Sequence, residues 1–243
     1  MSRKIVIGFD LYGTLLSTES IAEQLGELFG HDVAKELATQ WRRYQLEYTW
    51  RSNSMGTYQS FSQITRAALQ HAVAEKSLTL SQAQTEGLMD AYNGLKTFPE
   101  IESAMKLVDS EPSLNAYVFS NGTDEMVTTS VRTSPVLSKI NCFSKPGKLI
   151  TVDSLKTFKP DPKTYYHLAD EAGVKLDQVW VVSANPFDAL GARSAGAQSA
   201  WIDRAGNGWI DALGSSINVE PTIVVRRVDE AVAEILRRSR NEG

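Results

Sequence analysis

The chain predicts a parallel α/β fold interrupted by one large helical insertion. Short apolar runs rich in β-branched and aromatic residues recur at wide spacing, as strands buried on both faces do. They are Ile5 to Phe9, Ala116 to Phe119, Val179 to Val182, Ala200 to Ile202 and Thr222 to Val225. Helical patterns separate the later runs, so strand and helix alternate. The interval from Ser17 to Thr97 carries helix signals and no convincing strand.

The first run ends at Asp10, which makes it too short for a signal segment or a membrane span. In the insertion, Ser20 with Glu23 reads as a capping box ahead of Ile21, Leu25, Leu28 and Phe29 on one helix face. A second helix carries Val33, Leu37, Trp41, Tyr44 and Tyr48, and later ones carry Phe61, Ile64 and Ala68, then Leu88, Met89 and Tyr92. Trp41, Tyr44, Tyr48 and Trp50 read as core or interface aromatics. Pro162 to Ala172 is a helix closed by Gly173, and Asn185-Pro186 opens another that ends near Gly196. Gly206-Asn207-Gly208 is a turn. A closing amphipathic helix spans Val228 to Arg240, its Arg237-Arg238-Ser239-Arg240 cluster facing the helix C-terminus and water.

Composition narrows the class. The 243 residues are 42% hydrophobic with 16 Gly, 8 Pro and 1 Cys, which excludes a collagen, a disulfide scaffold or a disordered chain. Twenty-five basic residues against 29 acidic ones leave a net charge of -4, so no basic field favours nucleic acid or an anionic membrane as a partner. A lone cysteine, Cys142, suits a reducing compartment and reads as a small buried hydrophobe, and the chain is expected to be cytoplasmic. His31, His71 and His167 have no Cys or acid at ligand spacing. Asn121-Gly122-Thr123 matches a glycosylation sequon by chance, since it follows a buried-looking strand.

In parallel sheets ligands bind beyond the carboxyl ends of the strands, where the strand order reverses. Polar residues cluster at those ends: Asp10 in Phe9-Asp10-Leu11-Tyr12-Gly13-Thr14, Ser120-Asn121-Gly122-Thr123, and Ser183-Ala184-Asn185-Pro186-Phe187-Asp188. Lys159, in Phe158-Lys159-Pro160-Asp161, can reach the same edge. Singly, each has a plain structural explanation as a turn former, a helix start or a solvated charge. Together they suggest a carboxylate nucleophile kept ionised by an ammonium.

These segments, with the stretch Trp41-Arg42-Arg43-Tyr44-Gln45-Leu46-Glu47-Tyr48-Thr49-Trp50, resemble the haloacid dehalogenase superfamily and, within it, the L-2-haloacid dehalogenases. The resemblance implies a Rossmann-like core with helices on both faces, residues 1–16 plus 98–243, and an all-helical cap, residues 17–97. It implies hydrolysis of short-chain (S)-2-haloacids to (R)-2-hydroxyacids with inversion, through an aspartyl ester on Asp10. The expected partner is a small 2-haloalkanoic acid; no metal or cofactor is implied, and a homodimer through the cap helices is. Ser120 and the backbone amides of Leu11 and Tyr12 would hold the substrate carboxylate, and Arg42 and Asn121 the halide. Leu46, Phe61 and Phe187 would form an apolar wall. Lys159 and Ser183 would orient the carboxylates, Thr14 would bond Asp10, and Asp188 would activate water; Asn185 and Tyr165 complete the carried-over positions.

Chemistry separates two branches of that superfamily. A phosphatase must protonate its departing alkoxide, and the second Asp that does so in the family is here Tyr12. Ala184 likewise stands where the metal loop commonly carries an acid, whereas a halide leaves without a proton. The alternatives are a metal-dependent phosphohydrolase and a non-catalytic binding protein on the same scaffold. The chain departs from the family's pattern between Val131 and Leu149, and at Phe187, where some relatives carry Trp.

Overall fold

The computed structural model describes residues 5–241. Among them six strands form one sheet: β1 (Ile5–Phe9), β2 (Leu114–Ser120), β3 (Leu149–Thr151), β4 (Val179–Ser183), β5 (Gln198–Ile202) and β6 (Ile223–Val225). Their order is β3-β2-β1-β4-β5-β6 and every adjacent pair is parallel. Successive strand residues point to opposite faces, and all five of β1 are buried, so both faces of the central sheet are covered. The chain winds from β1 outward to β3, then returns to the other side of β1. The crevice where the order reverses therefore opens at the carboxyl ends of β1 and β4.

The helices are α1 (Ala22–Phe29), α2 (His31–Met55), α3 (Phe61–Glu75), α4 (Gln82–Tyr92), α5 (Ile101–Ser110), α6 (Asp124–Thr133), α7 (Pro162–Ala172), α8 (Pro186–Ala195), α9 (Ala212–Ile217) and α10 (Val228–Asn241). The first four follow a short 3-10 turn, Thr18–Ile21, and form the insertion. The chain leaves the sheet and returns to it side by side: Ser17 N–H donates to Lys96 O at 2.8 Å, and Leu16 bridges Thr97. The long helix α2 packs on α1 and α3 through Ala34, Leu37, Ala38, Trp41, Gln45 and Thr49. That spacing of three to four residues is one helix face. No described helix is long and apolar enough to cross a membrane.

Several local expectations are corrected. Ser20 and Glu23 make no capping box: the Ser20 hydroxyl donates to Ser17 O and accepts from Lys96 N–H, while Glu23 pairs with Lys96. The boxes are Ser60 with Gln63 and Ser81 with Gln84, opening α3 and α4. Leu28 is exposed, off the buried face of α1. Cys142 is half-buried rather than fully buried. In α10, Arg237 and Arg238 pair with Glu234 and Arg240 with Glu111. The strand β3 and the helices α5, α6 and α9 were not legible; β3 has three residues, too few to display a period.

Candidate active site

The nucleophile candidate is placed by β1. Asp10 is the first residue beyond the strand, and its N–H donates to Val182 O in β4 at 3.0 Å. The chain then turns sharply, with Leu11 O accepting from the N–H groups of Thr14, Leu15 and Leu16. Gly13 sits at φ +90°, a conformation that side-chain-bearing residues rarely adopt, which explains the Gly in this segment. Arg204, just after β5, clamps the turn from behind. Its guanidinium donates to Gly13 O at 3.1 Å and Thr14 O at 2.7 Å, and pairs with buried Glu100 at 2.8 Å.

Both Asp10 oxygens are committed. Oδ2 accepts from Asn185 Nδ2 at 2.6 Å, Thr14 Oγ1 at 2.8 Å and Ser183 Oγ at 3.3 Å; Oδ1 accepts from Lys159 Nζ at 2.8 Å. Lys159 is 1% exposed, yet its ammonium is fully satisfied: three N–H groups meet Asp10 Oδ1, Asp188 Oδ2 at 2.8 Å and Phe119 O at 3.1 Å. Burial opposes its charge, but the two carboxylates outweigh that and hold its pKa above the ordinary lysine value. Its backbone N–H is fixed by Asn121 Oδ1 at 2.8 Å.

Asp188 is fully buried. Burial raises its pKa, against the pull of Lys159, and the Asp10 charge adds to the rise. Its Oδ1 accepts from the Tyr165 hydroxyl at 3.0 Å. Tyr165 is fully buried, its hydroxyl held against the Asp188 carboxylate.

The insertion supplies Arg42, whose guanidinium reaches over the turn. It donates to Tyr12 O at 2.9 Å, Asn185 Oδ1 at 3.2 Å and Gln45 Oε1 at 2.6 Å. The Tyr12 ring stacks on Phe61, centroids 5.8 Å apart, and lies against Tyr92 at 5.6 Å; its hydroxyl meets Ser130 Oγ. Burial pushes that hydroxyl's pKa up, so Tyr12 is a neutral wall rather than an acid. Among the described residues the backbone N–H groups of Leu11, Tyr12 and Asn121 have no protein acceptor. Ser120 Oγ accepts from Gly122 N–H, which leaves its own hydrogen for donation. Gly122 allows this approach, because a Cβ there would meet Tyr12 at 3.0 Å.

The structure thus brings together Asp10, Thr14, Asn121, Lys159, Tyr165, Ser183, Asn185 and Asp188, with Arg42, Tyr12 and Phe61 alongside. Leu46 is half-buried one turn beyond Arg42, and Phe187 packs edge-on against Trp50 rather than the Tyr12–Phe61 stack. Sequence reasoning missed Arg204, Glu100 and Gln45; only Gln45 had a signal, its place three residues after Arg42. Burial beside Asp109 pushes the Cys142 thiol up to about 12, which removes it as a nucleophile.

Fold and site define a hydrolase class: the chain belongs to the haloacid dehalogenase-like hydrolase family, whose model matches residues 6–196. Among similar proteins, haloacetate dehalogenase H-2 of Moraxella sp. (strain B) is 32% identical over 217 residues, covering 89% of this chain and 92% of that protein. The (S)-2-haloacid dehalogenase of Pseudomonas sp. (strain YL) is 33% identical over 202 residues, covering 83% of each. The solved L-2-haloacid dehalogenase of Xanthobacter autotrophicus with chloropropionic acid covalently bound superposes with a TM-score of 0.81 at 25% identity, covering 96% of this chain and 98% of that one.

Proposed function

We propose that the chain hydrolyses short-chain (S)-2-haloacids to (R)-2-hydroxyacids with inversion. The observation that carries this is the Asp10 carboxylate at the end of β1, steadied by a buried ammonium and with a guanidinium above the same turn. Asp10 attacks C2 from the side opposite the halide, forming an ester as the carbon–halogen bond breaks and the halide takes the electron pair. Lys159 and Asn185 orient the attacking carboxylate. The amides of Leu11, Tyr12 and Asn121 and the Ser120 hydroxyl suit the substrate carboxylate, and Arg42 the halide. Asn121 itself spends its side-chain oxygen on Lys159, which leaves only its Nδ2 for the halide. Phe61 and Tyr12 form the apolar wall that keeps water off the carbon.

Water then attacks the ester carbonyl. With Asp10 esterified, Asp188 is the remaining carboxylate at Lys159, and its raised pKa suits a general base. The test is halide release from each enantiomer of 2-chloropropionate and 2-bromopropionate, beside a panel of phosphomonoesters. Phosphate release without halide release would favour the phosphohydrolase.

The donor set is a poor match for a divalent cation: Asp10 Oδ1 and Asp188 Oδ2 both face the Lys159 ammonium, and Tyr12 and Ala184 replace acids. Dehalogenation is therefore expected to survive exhaustive chelation, measured as rate before and after EDTA with Mg²⁺ added back. Loss restored by Mg²⁺ would point to the metal-dependent branch.

Arg42→Lys is expected to lower kcat by roughly 10² or more, because a point ammonium cannot reproduce the planar donors that meet three acceptors at once. Arg43, exposed on the same helix, is the control. Equal effects of the two lysine substitutions would remove Arg42 from the site. A cytoplasmic homodimer joined through the cap helices, residues 17–97 capping a core of 1–16 and 98–243, completes the proposal. Sedimentation of the purified protein tests the dimer.

A further inference from the structure

Gln45 is an amide with no exposed surface, in a helix whose other buried positions are mostly apolar. All of its side-chain partners are accounted for. Nε2 donates to Thr65 Oγ1 at 2.6 Å, and Oε1 accepts from Arg42 Nη1 at 2.6 Å and from the Tyr92 hydroxyl at 3.0 Å. The amide can take only this orientation. Thr65 spends its single hydroxyl hydrogen on Phe61 O at 2.6 Å, so it can only accept from Gln45. The flipped amide would set an NH₂ group against the donors of Arg42 and Tyr92. Burial keeps the Tyr92 phenol protonated and so a donor.

The three acceptors around the guanidinium, Gln45 Oε1, Tyr12 O and Asn185 Oδ1, are all neutral. Among the described residues no carboxylate lies within ion-pair distance of Arg42, although the chain pairs most of its other buried or half-buried cations with acids. A glutamate at position 45 has the same shape and would grip Arg42 more strongly. It would also cancel the positive charge in a site shielded from water, where that charge acts most strongly on an anion.

We propose that Gln45 is a positioning residue for halide departure: a neutral amide that locks the Arg42 guanidinium over the nucleophile turn without neutralising it. This rests on the dehalogenase function proposed above. It makes the leaving-group step depend on a residue that touches no substrate atom.

The experiment compares Gln45→Glu and Gln45→Met, each alone and combined with Arg42→Lys, on 2-chloropropionate and 2-bromopropionate. Inhibition by added bromide and the melting temperature are measured in parallel. Gln45→Glu is expected to lower kcat on the chloride substrate about 10- to 100-fold, the loss typical of a residue that orients a reacting ligand. The loss on the bromide substrate is smaller, since bromide needs less stabilisation as it leaves, and inhibition by bromide weakens. Combined with Arg42→Lys, neither Gln45 variant adds more than about a factor of two to the loss, because the two residues act as a unit.

A constant chloride-to-bromide ratio, with the losses multiplying in the double variants, would show that Gln45 only supports the helix packing and would overturn the proposal. Should Gln45→Glu fail to fold, Gln45→Met carries the same comparison without a buried charge. Wild-type protein that releases no halide would remove the dehalogenase reading and this proposal together, whereas normal release with multiplying losses removes this proposal alone.

Discussion

In water enriched in heavy oxygen, with enzyme in excess over 2-chloropropionate, solvent label is expected in the peptide carrying Asp10 and not in the hydroxy acid of the first turnover. The argument follows single atoms. If Asp10 attacks C2, the new C–O bond uses a carboxylate oxygen of the protein, and water that opens the ester at its carbonyl leaves solvent oxygen on Asp10. Direct attack of water on C2 would instead label the product at once. Asp10 is suited to the first route because four donors hold its carboxylate in place at the end of β1. Asp188→Asn removes the proposed base, so the ester should accumulate, visible as a mass increase equal to the haloacid less hydrogen halide. Labelled product with an unlabelled Asp10 peptide would refute the nucleophile role even in an active dehalogenase.

Lys159→Met should be damaging in two separate measurements. The ammonium lies between two buried carboxylates at 2.8 Å from each, and methionine matches its stem but not its charge. Removing one partner of a buried ion pair typically costs about 3–5 kcal/mol, because the remaining charge is left uncompensated. Here two like charges remain, so one carboxyl is driven to take up a proton. Urea unfolding should therefore show a lower midpoint at an unchanged slope. Halide release should fall by at least on the order of 10² to 10³, the scale for losing one preorganised charge partner. Retention of both stability and rate would mean that Lys159 does not anchor the Asp10 carboxylate.

Much of the architecture was legible because its signals are local. Val179 to Val182 is a continuous apolar run and became β4. Pro162 and Gly173 bracket α7, with Asp161 capping it and Gly173 in the left-handed conformation that ends a helix. The strand-end clusters could be read because a parallel sheet brings its carboxyl ends to one edge whatever the intervening sequence. Where a signal had competitors it failed. Ser20 sits three residues before Glu23, but the returning chain offers Lys96 to both, and tertiary partners displaced the local box. An edge strand as short as β3 takes its conformation from pairing with β2 rather than from its own pattern.

By itself the sequence determined the alternation of strand and helix, the place of the insertion, and a set of polar residues at strand ends whose types suit a carboxylate nucleophile. Only the tertiary structure decided which of them share hydrogens. Lys159 spends its three donors on residues 10, 119 and 188, Tyr165 lies behind Asp188, Arg204 clamps the Asp10 turn, and Gln45 rather than an acid holds Arg42. Capping, turn chemistry and periodicity are free energies of neighbouring residues and so are written along the chain. A buried polar group has its partner chosen by whichever donor or acceptor packing brings within about 3 Å when water is gone, and that choice depends on residues far apart in sequence.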